Sequence, residues 1–105
     1  MTGSTAVEVT IGPRVDAAEA LTVLQAVADP VRWAVLHVLS GGPLCVCTIQ
    51  EHVPVAGNLL SYHLKVLRDV GLVTGSRRGR WVDYALADDA ARRMAAALPG
   101  AVRAE

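Results

Sequence analysis

Two cysteines separated by a single residue, Cys45 and Cys47, are the side chains best suited to bind a soft metal ion. Thiolates are soft ligands that favour thiophilic ions, arsenite and antimonite among them. Cys45 and Cys47 are the only cysteines among the 105 residues, and a pair so close in sequence cannot staple a fold. The sequence therefore predicts two free thiols available to a metal or metalloid. The alternative is that both are small apolar packing residues.

A second set of chemically capable side chains lies between residues 58 and 70 and is followed by a helix stop at Gly71. On a helix with about 100° per residue, the leucines at positions 60, 64 and 67 share one broad apolar arc. The opposite arc carries hydrogen-bonding and cationic side chains: Asn58, Ser61, Tyr62, Lys65 and Arg68. Lysine and arginine bind phosphates or guanine, asparagine pairs with adenine, and serine or tyrosine bonds to either bases or phosphates. This face suits a DNA major groove, although a merely solvated face is the alternative.

Three arginines, Arg77, Arg78 and Arg80, follow in a loop that also holds two glycines. The residues before the loop, 72–74, and after it, 81–86, predict two short strands, because apolar and polar residues alternate in the second. The segment is therefore expected to be a β-hairpin. Its arginines are placed to reach backbone phosphates or the adjacent minor groove.

The net charge of the chain is zero, but the charge is unevenly distributed. Residues 58–84 carry five basic and two acidic side chains, whereas the rest of the chain carries five basic and eight acidic ones. Positive charge concentrated on the predicted helix and hairpin indicates a nucleic-acid partner. No serine–histidine–aspartate order, phosphate loop or paired carboxylate site stands out, so we do not expect an enzyme.

The helices that must position these side chains are marked by their start signals. Asp16 and the Asp29-Pro30 pair suit helix starts, and Glu19 is placed to close a capping box with Asp16. The expected elements are helices over 15–28, 31–39, 44–53 and 58–70, strands over 72–74 and 81–86, and a last helix over 88–98. A short helix, a turn and a polar-faced helix outline a helix-turn-helix, and the basic hairpin after it makes a winged helix. The predicted fold is mainly α with a small β-hairpin, in the order ααααββα.

A single domain is expected for a chain of this length. We expect a flexible N-terminal arm over residues 1–14, a winged-helix DNA-binding domain over 15–98 and a loose C-terminal tail over 99–105. The sequence contains no uninterrupted run of about 18 apolar residues, so we expect no transmembrane helix. The first residues also lack the basic and apolar regions of a signal peptide. A cytoplasmic protein without a membrane partner is therefore expected.

From Ala17 to Leu98 the chain resembles the ArsR/SmtB family of bacterial metal-responsive repressors. The resemblance rests on fragments that occur in the family's order: Ala28-Asp29-Pro30-Val31-Arg32, Leu44-Cys45-Val46-Cys47, Ser61-Tyr62-His63-Leu64-Lys65-Val66-Leu67-Arg68, Gly71-Leu72-Val73 and Arg78-Gly79-Arg80. It implies a homodimer built on the first and last helices, which binds operator DNA and leaves it when an inducer binds. We expect no obligatory cofactor. The resemblance also implies that Asn58, Ser61, Tyr62 and His63 lie at the DNA surface, whereas the helical wheel places His63 in the apolar arc, where a buried hydrogen bond would position the helix.

The Leu44-Cys45-Val46-Cys47 fragment resembles the signature of the family's arsenite and antimonite sensors. The resemblance therefore implies As(III), Sb(III) or another soft metal as the inducer bound by Cys45 and Cys47. On a regular helix, residues i and i+2 lie about 200° apart, whereas in an extended segment they share one side. We therefore expect the ligand to unwind the first turn of the third helix. The third helix supports the helix over 58–70, so unwinding would move that helix out of register with the groove. The ligand would bind only the distorted state and shift the population toward it.

Departures from the family pattern leave the inducer open. The third thiol of many family arsenite sensors is missing here, because the nearby position is Gln50 and residues 1–14 contain no cysteine or histidine. The third ligand would come from Glu51, His52, the partner subunit, water or a small thiol. The last helix contains no histidine, so the family's zinc, cobalt or nickel site is expected to be absent.

Alternatives to a metalloid sensor therefore remain. One is a repressor with no metal site of its own, which responds to thiol oxidation or to another metal, such as nickel, through a metal-sensing partner protein. Another is a winged helix used only for protein contacts. A third is a small thiol metallochaperone or redox carrier, which would explain the cysteines but not the arginine hairpin.

Overall fold

The computed structural model describes residues 10–11 and 15–100, and within these residues the chain forms five helices and five short strands. The helices are α1 (Ala17–Val27), α2 (Pro30–Leu39), α3 (Val46–His52), α4 (Gly57–Asp69) and α5 (Ala90–Ala97). The strands are β1 (Thr10–Ile11), β2 (Val15–Asp16), β3 (Leu44–Cys45), β4 (Val73–Arg78) and β5 (Trp81–Leu86). In this part of the chain, no helix is long and apolar enough to cross a membrane.

The two ends of the chain are described only in part. Thr10–Ile11 pairs antiparallel with Val15–Asp16 just before α1. The other residues of the predicted arm, 1–9 and 12–14, lie outside the described residues, as do residues 101–105 of the predicted tail.

Aspartates cap the first two helices, as the sequence predicts. Asp16 Oδ1 accepts a hydrogen bond from the backbone N–H of residue 18 at 3.0 Å. Asp29 Oδ1 accepts from the N–H groups of residues 31 and 32 at 2.8 and 3.0 Å, and Pro30 occupies the first helical position. The predicted capping box does not form in the described residues. The Glu19 carboxylate points to α5 and accepts a hydrogen bond from Arg93 at 2.7 Å instead.

Helix α4 is anchored deep in the core. Its side chains Leu60, Leu64 and Leu67 are fully buried, and the helix packs against α2 and β4. Each buried leucine contributes about 1.5–3 kcal/mol relative to an exposed one. The surrounding core comes from α2, α3 and the residues after α4: Val35, Leu36, Leu39, Ile49, Leu72 and Val73. The position of α4 is therefore set by core packing.

Residues 73–86, comprising β4, a two-residue turn and β5, are called the wing below. The two strands pair antiparallel throughout, and the ladder ends with Arg78 opposite Trp81. Gly79 in the turn has φ +62°, a left-handed conformation that glycine adopts without steric cost. The predicted six-residue loop at 75–80 is therefore wrong, because β4 continues to Arg78 and the turn comprises Gly79 and Arg80.

A third strand pairs with the other edge of β5, giving the order β3-β5-β4. Leu44 is paired with Tyr84 and Cys45 with Asp83. The predicted helix over 44–53 is therefore wrong at its start, because strand pairing holds Cys45 extended (φ −75°, ψ 160°) and the helix begins at Val46. The predicted winged helix-turn-helix is confirmed, with one strand added to its sheet.

Candidate nucleic-acid interface and cysteine pair

The outer face of α4 carries the residues that the helical wheel places opposite the apolar arc. All five are exposed: Asn58, Ser61, Tyr62, Lys65 and Arg68. The helix ends where the sequence predicts, because Gly71 adopts φ +82° and supplies the left-handed stop. One face of a core-anchored helix therefore presents donors and acceptors of the kinds that read base edges and phosphates.

The cations of this surface differ in whether a carboxylate of the described chain pairs with them. Lys65 Nζ lies 2.9 Å from Asp69 Oδ2, and both side chains are largely exposed. An exposed pair one helical turn apart contributes only about 0.3–0.5 kcal/mol, so Lys65 can exchange Asp69 for a phosphate. Within the described part of the chain, no carboxylate lies within 4 Å of Arg68, Arg77 or Arg80. These three guanidinium groups are available to an external anion.

His63 lies on the inner side of α4 and is only 6% exposed. Its Nδ1 is 3.0 Å from Nη1 of Arg32, whose Nε donates to the carbonyl of Ala26 at 2.7 Å. Because an arginine only donates, His63 Nδ1 is the acceptor of this bond. The surface position implied for His63 by the family resemblance is not found. The buried hydrogen bond expected from the wheel is present, and it ties α4 to the start of α2.

The three wing arginines fall into two groups. Arg78 donates from Nε to Asp83 Oδ2 at 2.8 Å and from Nη2 to Oδ1 at 3.0 Å. This two-bond contact with Arg78 lowers the pKa of Asp83. Among the described residues, Arg77 donates only to the carbonyl of Gly79 at 3.4 Å, and Arg80 is exposed in the turn. Arg77 and Arg80 are therefore available to an external anion, whereas Arg78 is already engaged within the sheet.

The two cysteines lie on either side of the start of α3, at the edge of the same sheet. Cys45 is half-buried at the end of β3, and Cys47 is exposed in the first helical turn. Cys45 Sγ lies 3.3 Å from the Thr48 hydroxyl oxygen. The pair is not confined to one regular helix, so the unwinding step expected from the sequence is not needed to free Cys45 from helical geometry.

The pKa values of the two thiols are shifted in opposite directions. A hydrogen bond from the Cys47 thiol is the main cause that lowers the pKa of Cys45 to about 7, and Thr48 adds to the effect. The same hydrogen bond raises the pKa of Cys47, because Cys47 keeps the proton that stabilises the Cys45 thiolate. Cys45 is therefore the first thiolate to form, and it favours a thiophilic ligand.

The chain supplies two soft donors at this site. No cluster of three or more histidine, cysteine, aspartate or glutamate side chains suited to a metal ion occurs within residues 10–11 and 15–100. Glu51 and His52, the predicted candidates for a third ligand, are therefore not gathered around the thiols. The donor set fits a ligand that takes two thiolates from this chain and completes its coordination from elsewhere.

Two residues that hold the site in place, Arg32 and Asp83, are not predicted from the sequence. Arg32 occurs there only within a family fragment, and its contact with His63 spans 31 positions of the chain. The alternation of the second strand predicts only that Asp83 faces outward. Its charge complements Arg78 diagonally across the hairpin, a signal that can be read once the turn is fixed at Gly79-Arg80.

Comparisons with known proteins agree with this architecture. The HlyU structure from Vibrio cholerae superposes with a TM-score of 0.68 at 29% identity, covering 72% of this chain and 85% of that protein. NmtR of Mycobacterium tuberculosis, a transcriptional regulator, is 42% identical over 72 residues, which are 69% of this chain and 60% of NmtR. This chain therefore spans about three fifths of the length of that relative.

Two further matches fix the family. The arsenical resistance operon repressor of Staphylococcus aureus is 37% identical over 75 residues, covering 68% of this chain and 72% of the repressor. The sequence model for bacterial regulatory proteins of the arsR family matches residues 29–74, from the cap of α2 to the start of the wing. The chain belongs to the arsR family of bacterial regulatory proteins.

Proposed function

We propose that this chain is a homodimeric transcriptional repressor that leaves its operator DNA when a thiophilic metalloid, arsenite or antimonite, binds Cys45 and Cys47. The observation that carries the DNA-binding part is the combined surface of α4 and the wing. Helix α4 presents an exposed polar face, and Arg68, Arg77 and Arg80 have no carboxylate partner within 4 Å in the described part of the chain.

In this proposal α4 enters the major groove. Asn58, Ser61 and Tyr62 contact base edges, whereas Lys65 and Arg68 contact phosphates and fix the register. Arg77 and Arg80 of the wing add phosphate or minor-groove contacts. His63 makes no DNA contact but holds α4 against α2 through Arg32.

A second copy of the chain would supply the second half-site contact. Support for a dimer through the first and last helices comes from large apolar side chains left uncovered there. Leu21 of α1 and Leu98 at the end of α5 are each more than half exposed. A homodimer that buries these side chains would place two α4 helices in successive major grooves of a two-fold symmetric operator.

The inducer is assigned from donor chemistry. Arsenite, As(OH)₃, forms two arsenic–sulfur bonds with Cys45 and Cys47 and releases two waters, so one hydroxide stays on arsenic. The lowered pKa of Cys45 supplies the first nucleophilic thiolate near neutral pH. The Staphylococcus aureus relative is an arsenical resistance operon repressor, which also supports this choice of ligand.

An arsenite titration of the reduced protein on labelled DNA from upstream of its own coding region tests the proposal, with anisotropy as the readout. We expect release at about one arsenite per subunit, the ratio that a two-thiol site gives. Cys45→Ser should keep DNA affinity and abolish release, and Cys47→Ser should do the same. Release that persists in the double variant would remove the cysteine pair from the mechanism. Tight DNA binding without release by arsenite would restrict the proposal to a repressor with another inducer, to be sought with nickel, cadmium, an oxidant or partner proteins.

The salt dependence of DNA binding distinguishes a repressor from a thiol carrier and from a winged helix used only for protein contacts. Operator affinity should fall steeply with salt, and the slope of log K against log salt should lose about 1 for each phosphate contact removed in Arg77→Ala or Arg80→Ala. A thiol carrier would show no such affinity. A winged helix used only for protein contacts would show no change on DNA in either variant.

A further inference from the structure

The ion pair between Arg78 and Asp83 lies between the cysteine pair and the turn of the wing. We propose that this pair is a positioning element that transmits ligand binding at Cys45 and Cys47 to the wing, so that Arg78 acts on wing geometry instead of contacting a DNA phosphate. The inference rests on the proposed function, because it concerns the same two thiols and the same DNA-binding surface.

Backbone pairing provides the first link. Cys45 in β3 and Asp83 in β5 are direct partners in the antiparallel sheet. The Cα atoms of such partners lie about 4.5–5.5 Å apart, and the ladder fixes the two backbones relative to each other. Because β3 has only two residues, a ligand that shifts Cys45 displaces half of the strand. The displacement passes directly to Asp83 through the backbone pairing.

A side-chain contact provides the second link. Asp83 holds the Arg78 guanidinium with two parallel hydrogen bonds of 2.8 and 3.0 Å. Such a contact fixes orientation as well as distance. Arg78 is the last residue of β4 and is followed directly by the turn residues Gly79 and Arg80. The position of Asp83 therefore sets how the end of β4, and Arg80 beyond it, is presented to DNA.

The two links together define what a ligand changes. When arsenic–sulfur bonds form at Cys45 and Cys47, the arsenical occupies space beside β3 and displaces the strand that is paired with Asp83. The Arg78 guanidinium is held by Asp83 and moves with it, so the wing reorients.

A DNA-free experiment tests the coupling directly. Trp81 faces Arg78 across the ladder and is 48% exposed, so its fluorescence reports the end of the wing. The other tryptophan, Trp33, stacks on His37 in α2 and is replaced by phenylalanine to leave a single reporter. Phenylarsine oxide serves as the probe, because it condenses with two thiols and loses one water. We expect the probe to change Trp81 emission in Trp33→Phe and to leave it unchanged when Asp83→Asn is added, with consumption of both thiols verified in each protein.

The same probe is then applied to the protein on DNA. The ratio of operator Kd with and without phenylarsine oxide should lie within the range of about 5- to 150-fold that allosteric couplings span. We expect Asp83→Asn to bring the ratio close to 1. Asp89→Asn is the matched control, because it removes the charge of a half-buried aspartate paired at 3.9 Å with Arg92 in α5, and its ratio should equal that of the parent.

Arg78→Lys distinguishes positioning from phosphate contact. Lysine keeps the charge but cannot form two parallel hydrogen bonds to one carboxylate. A phosphate-binding role predicts that lysine substitutes well and that the ratio is kept, which would overturn the inference. A positioning role predicts that the ratio collapses as in Asp83→Asn while the salt slope stays within the parent's error.

The failure of the inference and that of the proposed function give different results. If the probe releases DNA from the parent and from Asp83→Asn alike, the sensor stands and the Arg78–Asp83 link is wrong. If the probe consumes both thiols without releasing DNA, the proposed inducer response is wrong. In that case the Trp81 signal still decides the link: a response lost in Asp83→Asn supports it, and a response absent in the parent or kept in Asp83→Asn overturns it.

Discussion

Helix α4 and the wing present cations on the same candidate DNA-binding surface, yet they are anchored in opposite ways. Four α4 residues are buried in the core: Leu60, His63, Leu64 and Leu67. In β4, by contrast, only Val73 is buried and the other residues are exposed. The wing keeps its shape through the ladder with β5 and the Arg78–Asp83 contact. The helix is therefore the rigid part of this surface and the wing the adjustable part.

The cysteine pair belongs to the adjustable part. Cys45 is paired with β5, one of the two wing strands, whereas α4 packs on α2 and β4. A ligand at the thiols therefore acts first on a segment with few buried side chains, where a small change in free energy produces a large displacement. Moving α4 instead would require repacking of fully buried leucines.

The largest effect should come from the inner face of α4. Leu64→Ala should lower the free energy of unfolding by about 2–5 kcal/mol, because the variant leaves a cavity at a residue that is only 2% exposed. Leu59→Ala is the control on the same helix, where the side chain is 42% exposed and the expected change is about 0.5 kcal/mol. Urea unfolding at one fixed protein concentration measures both, since oligomer stability depends on concentration. Equal losses in the two variants would contradict the core anchoring of α4.

The next largest effect should come from the buried hydrogen bond between Arg32 and His63 on the inner side of α4. Arg32→Ala leaves the Ala26 carbonyl and the His63 ring nitrogen without their donor, and should cost about 1–3 kcal/mol of unfolding free energy. Arg92→Ala, which removes an exposed arginine with a 3.9 Å ion pair, should change it by about 0.5 kcal/mol or less. Operator affinity should fall in Arg32→Ala with an unchanged salt slope, because no phosphate contact is lost. A reduced slope would mean that Arg32 itself contacts DNA.

The rigid part of the surface could be predicted from the sequence because its signals are local. The spacing of Leu60, Leu64 and Leu67 fixes a buried face at the helical period, so the exposed residues opposite them follow. The cap at Asp29 and the stop at Gly71 are equally local. The partner of His63 was not predictable in this way, since Arg32 belongs to another helix and the contact depends on how the two helices cross.

The adjustable part was predicted less well because its contacts are not local. Glycine at position 75 has low strand propensity, and a glycine–serine pair is typical of the residues that bound strands, so the sequence indicates a loop there. In the structure Gly75 pairs with Tyr84, and its missing Cβ leaves room for the tyrosine ring, which lies 3.2 Å from where that atom would stand. The two-residue strand ending at Cys45 has no periodicity to detect, and only its pairing with β5 defines it.

A smaller effect is expected at the turn of the wing. Gly79 has φ +62°, so Gly79→Ala should raise the free energy of the turn by about 1 kcal/mol. Gly79→Asn should cost less, because asparagine tolerates the left-handed region better than alanine. We expect the free energy of global unfolding to change by no more than this amount. Amide hydrogen exchange in β4 should accelerate more in Gly79→Ala than in Gly79→Asn. Unchanged exchange in both variants would show that the wing is as firmly held as α4.

The smallest change concerns a single proton at the cysteine pair. The alkylation rate of Cys45 by iodoacetamide should rise with pH to half its maximum near pH 7, because its pKa is lowered to about 7. The rate at Cys47 should rise only at higher pH, since its pKa is raised. In Cys47→Ala the midpoint for Cys45 should move up, because the hydrogen bond from Cys47 is the main cause of the lowered value. Thr48→Val should move it up less, because the threonine hydroxyl is a lesser cause.

An unchanged midpoint in Cys47→Ala would mean that Cys45 owes its acidity to Thr48 and the backbone at the start of α3. The thiols would then act as independent residues. A raised midpoint would mean that the two thiols share one proton and act as one unit. In the second case a ligand that takes both sulfurs removes the hydrogen bond and the charge together, at the strand that is paired with the wing. That is the site at which a single chemical event can move the adjustable part of the surface and leave α4 in place.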